Sequence, residues 1–356
     1  MKKWLLRFLI LLLILVFIVP FLIPMPTIGA DPATFADPDG RFITVNGLET
    51  YVRESGSSDG VPVLLLHGWG ASTFSWRDTI PALAEAGYRV IAFDRPPYGL
   101  STKTGDNLPL LVTDQAEFTV ALMDELGIEQ AVLIGHSMGG GVIANLAVQH
   151  PERVLGLGFV AAAVQIQGEE VEGGGFPPIV RAALDFAPIA RWARIGVRTF
   201  VRPDAFGDLQ RDAYYDPTSV TPEMLAGYAT PLKVEDWDAA LLRILAGPGL
   251  GGKALTAAEI SGISVPVAIL WGENDTWVPI AGGERLRAGQ RLWHGGDADP
   301  IRLSQPDADA DHRRSADGHD GQHHGHARNA AHAFGSSRRG ARRNLGQRHR
   351  SAVHLA

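Results

Sequence analysis

The sequence predicts an α/β fold: a mostly parallel sheet flanked by helices, with a helical cap inserted into it and an N-terminal transmembrane helix ahead of it. Three observations predict this. Short apolar or alternating runs recur with helical stretches between them over 41–162 and again over 263–288. Between 164 and 262 that alternation gives way to amphipathic helical patterns. The pentad Gly135-His136-Ser137-Met138-Gly139 stands directly between an apolar run and a small-residue helix, Gly140 to Gln149. Strands alternating with helices at this spacing imply right-handed crossovers and hence a parallel sheet.

Taken in order, the chain opens on Lys2, Lys3 and Arg7, followed by a run without charge from Phe8 to Ile23. Counted from Trp4 this is about 20 residues, roughly 30 Å as a helix and enough to cross a bilayer. Residues 1–25 therefore read as an uncleaved signal anchor, with its basic end in the cytoplasm and the remainder extracytoplasmic. The alternative is a secreted product cleaved near Ile28-Gly29-Ala30, a loose match to an A-x-A-like site. The Pro/Asp-rich segment 26–40 reads as a tether.

Arg41 to Val45 and Thr50 to Glu54 alternate around Asn46-Gly47, a hairpin signal. Val61 to Leu66 is continuously apolar, as in a strand buried on both faces. It ends in His67-Gly68-Trp69-Gly70. A helix over 75–86, a strand over 89–93 closing in Asp94-Arg95-Pro96-Pro97-Tyr98-Gly99-Leu100-Ser101, and a helix over 113–126 follow. The pentad's own strand comes next, then a strand near 155–161. A strand over 265–271 leads into Gly272-Glu273-Asn274-Asp275-Thr276-Trp277-Val278-Pro279 and a helix over 280–288. Within the cap (163–262), Gly173-Gly174-Gly175 with Pro177-Pro178 reads as a hinge. Segments 179–200 and 222–246 read as helices, and Thr221-Pro222-Glu223 as a helix start. The cap's aromatic residues Phe186, Trp192, Phe200, Tyr214, Tyr215, Tyr228 and Trp237 pack a core or line an acyl pocket, with core packing the better expectation for any one of them.

A serine between two glycines on a sharp strand-to-helix turn is held with its hydroxyl above the sheet, the position of a nucleophile. Serine is a weak nucleophile, so it needs a base within reach and a carboxylate to orient that base. Ser137 is the nucleophile candidate and Asp275, directly after a strand, the acid. The HGWG, DRPPYGLS, GHSMGG and GENDTWVP motifs, each ending a strand and in this order, resemble those of the α/β-hydrolase superfamily in its cap-bearing serine branch. The resemblance covers roughly residues 40–288. It implies an acyl-enzyme mechanism on an ester or similar acyl bond, with the backbone N–H groups of Met138 and Trp69 as the oxyanion hole and Asp94 as a loop anchor. C–C bond hydrolysis is the alternative, as is an impaired ligand-binding relative. A serine in place of an aspartate nucleophile argues against epoxide hydrolases and haloalkane dehalogenases. Pro97 stands where the family commonly has glycine.

The same resemblance implies a Gly-His one helix and one strand past the acid, near 300–305, and no histidine lies there. His319 is carried as the displaced base candidate. Residues 289–356 lack Lys, Glu, Tyr and Met and are rich in Arg and His. Their composition predicts no eighth strand and no closing helix, and it reads as out-of-frame translation of a GC-rich gene. The dense His319–His332 tract also permits a metal site. The net charge of -7 divides into an acidic body and a basic tail, and an acidic body argues against nucleic-acid partners. With no cysteine, disulfides, thiolate catalysis and Cys-based zinc sites are excluded. The expected partners are a small acyl substrate and, through the N-terminal helix, a membrane. No cofactor or metal is expected.

Overall fold

Eight strands form one sheet in the order β1-β2-β4-β3-β5-β6-β7-β8. The strands are β1 (Gly40–Val45), β2 (Leu48–Ser55), β3 (Pro62–Leu66), β4 (Arg89–Phe93), β5 (Ala131–His136), β6 (Val154–Val160), β7 (Val267–Gly272) and β8 (Ile301–Leu303). The computed structural model describes residues 2–25, 28–168, 177–184, 186–201, 209–246, 253–289 and 301–303. The first two strands are antiparallel to their neighbours and every pair from β4 onward is parallel. Asn46 and Gly47 both take positive φ (50° and 78°), the turn that matches the twist of a tight hairpin.

The helices are α1 (Lys2–Phe17) and α2 (Val19–Leu22) ahead of the sheet, then α3 (Thr79–Glu85), α4 (Val112–Glu125), α5 (Met138–Gln149), α6 (Pro178–Leu184), α7 (Ala187–Phe200), α8 (Pro222–Tyr228), α9 (Trp237–Ala246), α10 (Ala257–Ser261) and α11 (Ala281–Gly289) between its strands. Strands β3, β4, β5 and β6, apolar but for Arg89 and His136 at their ends, are buried on both faces along most of their length. Leu64, Leu66, Ile91, Phe93 and Leu133 pack with Phe118, Leu122, Val142 and Leu146 of α4 and α5 on one side. Val63, Leu65, Val90 and Val132 pack with Ile80 and Leu83 of α3 on the other.

Helices α6 to α10 all fall between β6 and β7, so the cap is an insertion after the sixth strand. Thr221 opens α8 as its sequence suggests, its hydroxyl accepting from the Met224 N–H at 3.3 Å. The expected helix over 179–200 is two helices, and the one over 222–246 is also two. The triglycine hinge at 173–175 lies outside the described residues.

Three expectations change. The N-terminal apolar run does not form one long helix: it is divided at Ile18, and among the described residues no helix is long and apolar enough to cross a membrane. Pro20 lacks an N–H for the carbonyl four residues back and its ring crowds that turn. Segment 26–40, expected as a tether, is docked where described: Ala30 donates to Lys233 O at 2.8 Å and accepts from Glu235 N at 3.0 Å. Ile28, Phe35 and Ala36 pack on a cluster of Tyr51, Val234 and Trp237. Finally, an eighth strand exists. Residues 301–303 pair in parallel with β7, Leu270 opposite Ile301 and Gly272 opposite Leu303. A three-residue edge strand needs only backbone partners, which composition does not reveal.

Candidate active site

The carboxyl ends of the parallel strands carry all four turns singled out by the sequence. Ser137 sits between β5 and α5 with φ 51° and ψ -120°, a left-handed backbone that a non-glycine residue holds only under constraint. Three backbone hydrogen bonds supply it: Ser137 N to Val160 O (3.0 Å), Gly140 N to Ser137 O (2.9 Å) and Ala163 N to Ser137 O (2.8 Å). The flanking glycines are required by space. A Cβ on Gly135 would meet the Gly139 carbonyl, and one on Gly139 would meet the Leu66 carbonyl at the end of β3. Met138 begins α5, so its N–H belongs to the free, electropositive end of a helix.

The HGWG turn lies against this elbow. A Cβ on Gly68 would fall 3.2 Å from Ser137 Cβ and 3.1 Å from His136 Nδ1. The turn is braced from behind by two residues whose role the motif itself does not announce. His67, fully buried, accepts from Arg95 N at its Nε2 (3.1 Å), which leaves Nδ1 as the donor to Gly68 O at 2.8 Å. Burial holds this ring neutral, its pKa lowered well below the usual histidine value. The Arg95 guanidinium donates to His67 O and, at 3.4 Å, to Gly68 O. The Gly68 carbonyl and the Trp69 N–H share one planar peptide and point opposite ways, so fixing the carbonyl also fixes the N–H. Asp94 accepts from Thr73 N and Leu100 N, both at 2.6 Å, and so anchors its loop. Pro96 and Pro97 are joined by a cis peptide.

Asp275 stands in the turn after β7. Its Oδ1 accepts from Trp277 N (2.9 Å) and Val278 N (2.8 Å), which fixes the side chain. Oδ2 has no partner among the described residues. One strand, β6, lies between β5 and β7, so the two are two strand spacings apart, about 10 Å, which leaves room for an imidazole between Ser137 and Asp275.

Among the described histidines none hydrogen-bonds to Ser137. His67 is engaged in the brace, and His150 closes α5 at its far end beside Glu117. His136 adjoins the elbow; its Nδ1 is buried without a partner, and burial pushes its pKa down to about 4 against the opposing pull of the Asp275 carboxylate. His319 and the whole histidine tract lie outside the described residues. The one-helix, one-strand spacing past the acid is nevertheless present, as α11 and β8. The chain beyond β8 starts at Ser304, and the first histidine after it is His312.

A small, partly open cleft between core and cap is lined by Trp69 of the HGWG turn, Pro97, Tyr98, Pro109 and Leu110 from the core and by Arg243 and Ile244 from α9. The cap aromatics do not line it. Tyr228 and Trp237 are core residues, while Phe200 and Tyr215 are 81% and 64% exposed. Arg243 was not legible as a site residue, because an arginine on an amphipathic helix ordinarily faces solvent. No group of residues suited to holding a metal ion occurs among those described.

A family described as alpha/beta hydrolase fold matches residues 61–298, ten residues beyond the last family-like helix position expected from the sequence. The uncharacterized hydrolase YugF of Bacillus subtilis is 25% identical over 248 residues, 70% of this chain and 85% of that protein. Bifunctional epoxide hydrolase 2 of Rattus norvegicus is 40% identical over 124 residues, 35% of this chain but only 22% of that protein. Among solved structures, that of a membrane phospholipase A described as a bacterial virulence factor superposes with a TM-score of 0.53 at 25% identity, over 82% of this chain and 88% of that one.

Proposed function

The chain belongs to the alpha/beta hydrolase fold family, and from that premise we propose that it is a serine hydrolase cleaving an ester or similar acyl bond through an acyl-enzyme. The observation that carries this reading is the strained, fully braced Ser137 between a helix N-terminus and the HGWG turn. Ser137 Oγ attacks the acyl carbonyl as its proton passes to an imidazole. The N–H groups of Met138 and Trp69 receive the developing oxyanion. The imidazolium returns its proton to the leaving alcohol, then draws one from the water that releases the acid, and the open oxygen of Asp275 orients it throughout. A serine at this position separates the chain from hydrolases that open epoxides with an aspartate. The base comes from the chain beyond β8, where His312 and His319 are the candidates.

The N-terminal apolar run anchors the hydrolase domain to a membrane on its extracytoplasmic side. The likeness to a membrane phospholipase A favours a membrane location and an acyl chain drawn from lipid.

Turnover of a p-nitrophenyl ester by the full chain, lost in Ser137→Ala, supports the mechanism, and equal near-background rates reject catalysis for this chain. Because an enzyme without its base still runs about 10³ to 10⁴ over water, His312→Ala and His319→Ala are compared in the same assay. The base is the position whose loss removes the rate above that floor.

A further inference from the structure

Helix α7 sends its charges into the molecule and leaves much of its apolar surface in water, although Val197 packs on the Tyr51, Val234 and Trp237 cluster. At 100° per residue, Arg191, Arg194 and Arg198 occupy one side of it, while Ile189, Ala193 and Phe200, with Phe186 at its N-cap, occupy the other. A helix on the surface of a water-soluble protein puts its charges outward and its apolar stripe inward. Here the guanidinium groups point into the molecule. Arg194 Nε and Arg198 Nε each donate at 2.8 Å to Asp238 on α9, a carboxylate with no exposed surface. Arg191 donates to Pro20 O (2.5 Å) and Ile23 O (2.9 Å), carbonyls at the C-terminal end of α2 that have no helical partner. The apolar side chains face out: Phe200 is 81% exposed, Phe186 46% and Ile189 36%, with Ile179 of neighbouring α6 at 80%.

The N-terminal helices continue this surface. Phe17 at the end of α1 meets Phe186 edge-on, ring centres 5.6 Å apart. From there α1 stays exposed to Trp4 and carries apolar residues on every side. A helix apolar all round is at rest only in a protein core or in lipid. Because Arg191 fixes α2 to α7 and Ala30 fixes the following segment to the cap, α1 cannot enter lipid without bringing the cap with it.

We propose that the outward face of α6 and α7 is a bilayer-docking surface, continuous with α1, which seats the cap, and the cleft beneath it, against the lipid. This rests on α1 being a membrane anchor as read above. Exposed phenylalanine and isoleucine with inward-turned arginines suit an acyl layer rather than a protein partner bearing charge. The continuity through Phe17 and Phe186 is what selects a bilayer over a second copy of the chain.

The chain has no cysteine, so single probes are introduced cleanly. Leu11→Cys, Phe200→Cys, Ile179→Cys and Asp59→Cys are each labelled with an environment-sensitive fluorophore in the full chain. The probes are read in phosphatidylethanolamine/phosphatidylglycerol vesicles with and without brominated acyl chains. Asp59 lies exposed at the opposite end of the sheet strands and is the reference. Blue-shifted emission at 11, 179 and 200, quenched by bromolipid, with none at 59, is the expected result. If the probes at 179 and 200 behave like that at 59 while position 11 is quenched, the anchor stands and the docking surface falls. If position 11 is not quenched either, the anchor reading falls as well. A blue shift at 200 that needs no vesicles and grows with protein concentration would give the face to a second copy and overturn the lipid assignment.

Discussion

Gly139 is held by space from two directions: its Cα lies under the Leu66 and His67 carbonyls at the end of β3. Any side chain there separates the elbow from the HGWG turn. Gly139→Ala is therefore expected to lower stability by about 2 kcal/mol or more through overpacking and to abolish labelling of Ser137 by a fluorophosphonate; urea unfolding and gel labelling read the two effects. Asp275→Asn tests chemistry without that strain. Its remaining oxygen can still accept from Trp277 N and Val278 N, so the melting temperature should stay within a degree or two of wild type, while kcat falls by roughly 10⁴ as the imidazole loses its orienting charge. A large loss of stability with unchanged kcat would make Asp275 a turn residue only. The glycines and Ser137 were legible because backbone geometry restricts residue type. The brace from Arg95 and His67 was not, since the contacts that hold Gly68 join residues 28 apart.

At the scale of elements, strands and their turns were legible throughout the core. Asn46-Gly47 admits little but a tight hairpin, and continuous apolar runs such as Val63 to Leu66 leave a strand no exposed face. The cap was legible as helices but not in its orientation. The periodicity of 187–200 shows that α7 has two faces, and it does not show which of them turns inward. That is decided by Asp238, forty residues on, which offers Arg194 and Arg198 a buried counter-charge. The paired arginines lower the Asp238 pKa against the burial that would raise it. Asp238→Ala should then leave two guanidinium groups without a counter-charge and destabilise the cap by about 3 kcal/mol. That is the low end for a broken buried pair, because Arg194 remains about a third exposed. Proteolysis of the folded protein, with cuts mapped by mass spectrometry, should show new cleavage in α7 and none in β3 to β6.

For the whole molecule the buried titratable groups set the pH range of stability. His136, at about 4 when folded against an ordinary histidine value near 6.5, binds fewer protons than in the unfolded chain between those limits. Stability therefore falls as pH drops from 6.5 to 4, by about 1–2 kcal/mol for a residue that is not wholly buried. Lys103, pushed down to about 7 by burial, acts in the same sense from about 7 to 10.5. Tyr98, raised to about 12 by burial, reverses the trend above pH 10, where the unfolded chain loses its tyrosine protons first. Melting temperature should rise from pH 5 to a maximum between about 8 and 10, and His136→Gln should flatten its acid side. A maximum near pH 6 would contradict the burial of both groups.

Local rules of backbone space and apolar periodicity were enough to read the parallel core, the strand-to-helix elbow at Ser137, the turn that carries Asp275 after β7 and the place of the cap. Tertiary structure alone decided the rest. It docked segment 28–36 on the cap, added β8 to the sheet edge, moved the cap aromatics away from the cleft and turned the apolar face of α7 outward. Those outcomes depend on partners far along the chain, such as Lys233 for Ala30, β7 for β8 and Asp238 for α7, and no periodicity within a segment encodes which distant surface it will meet.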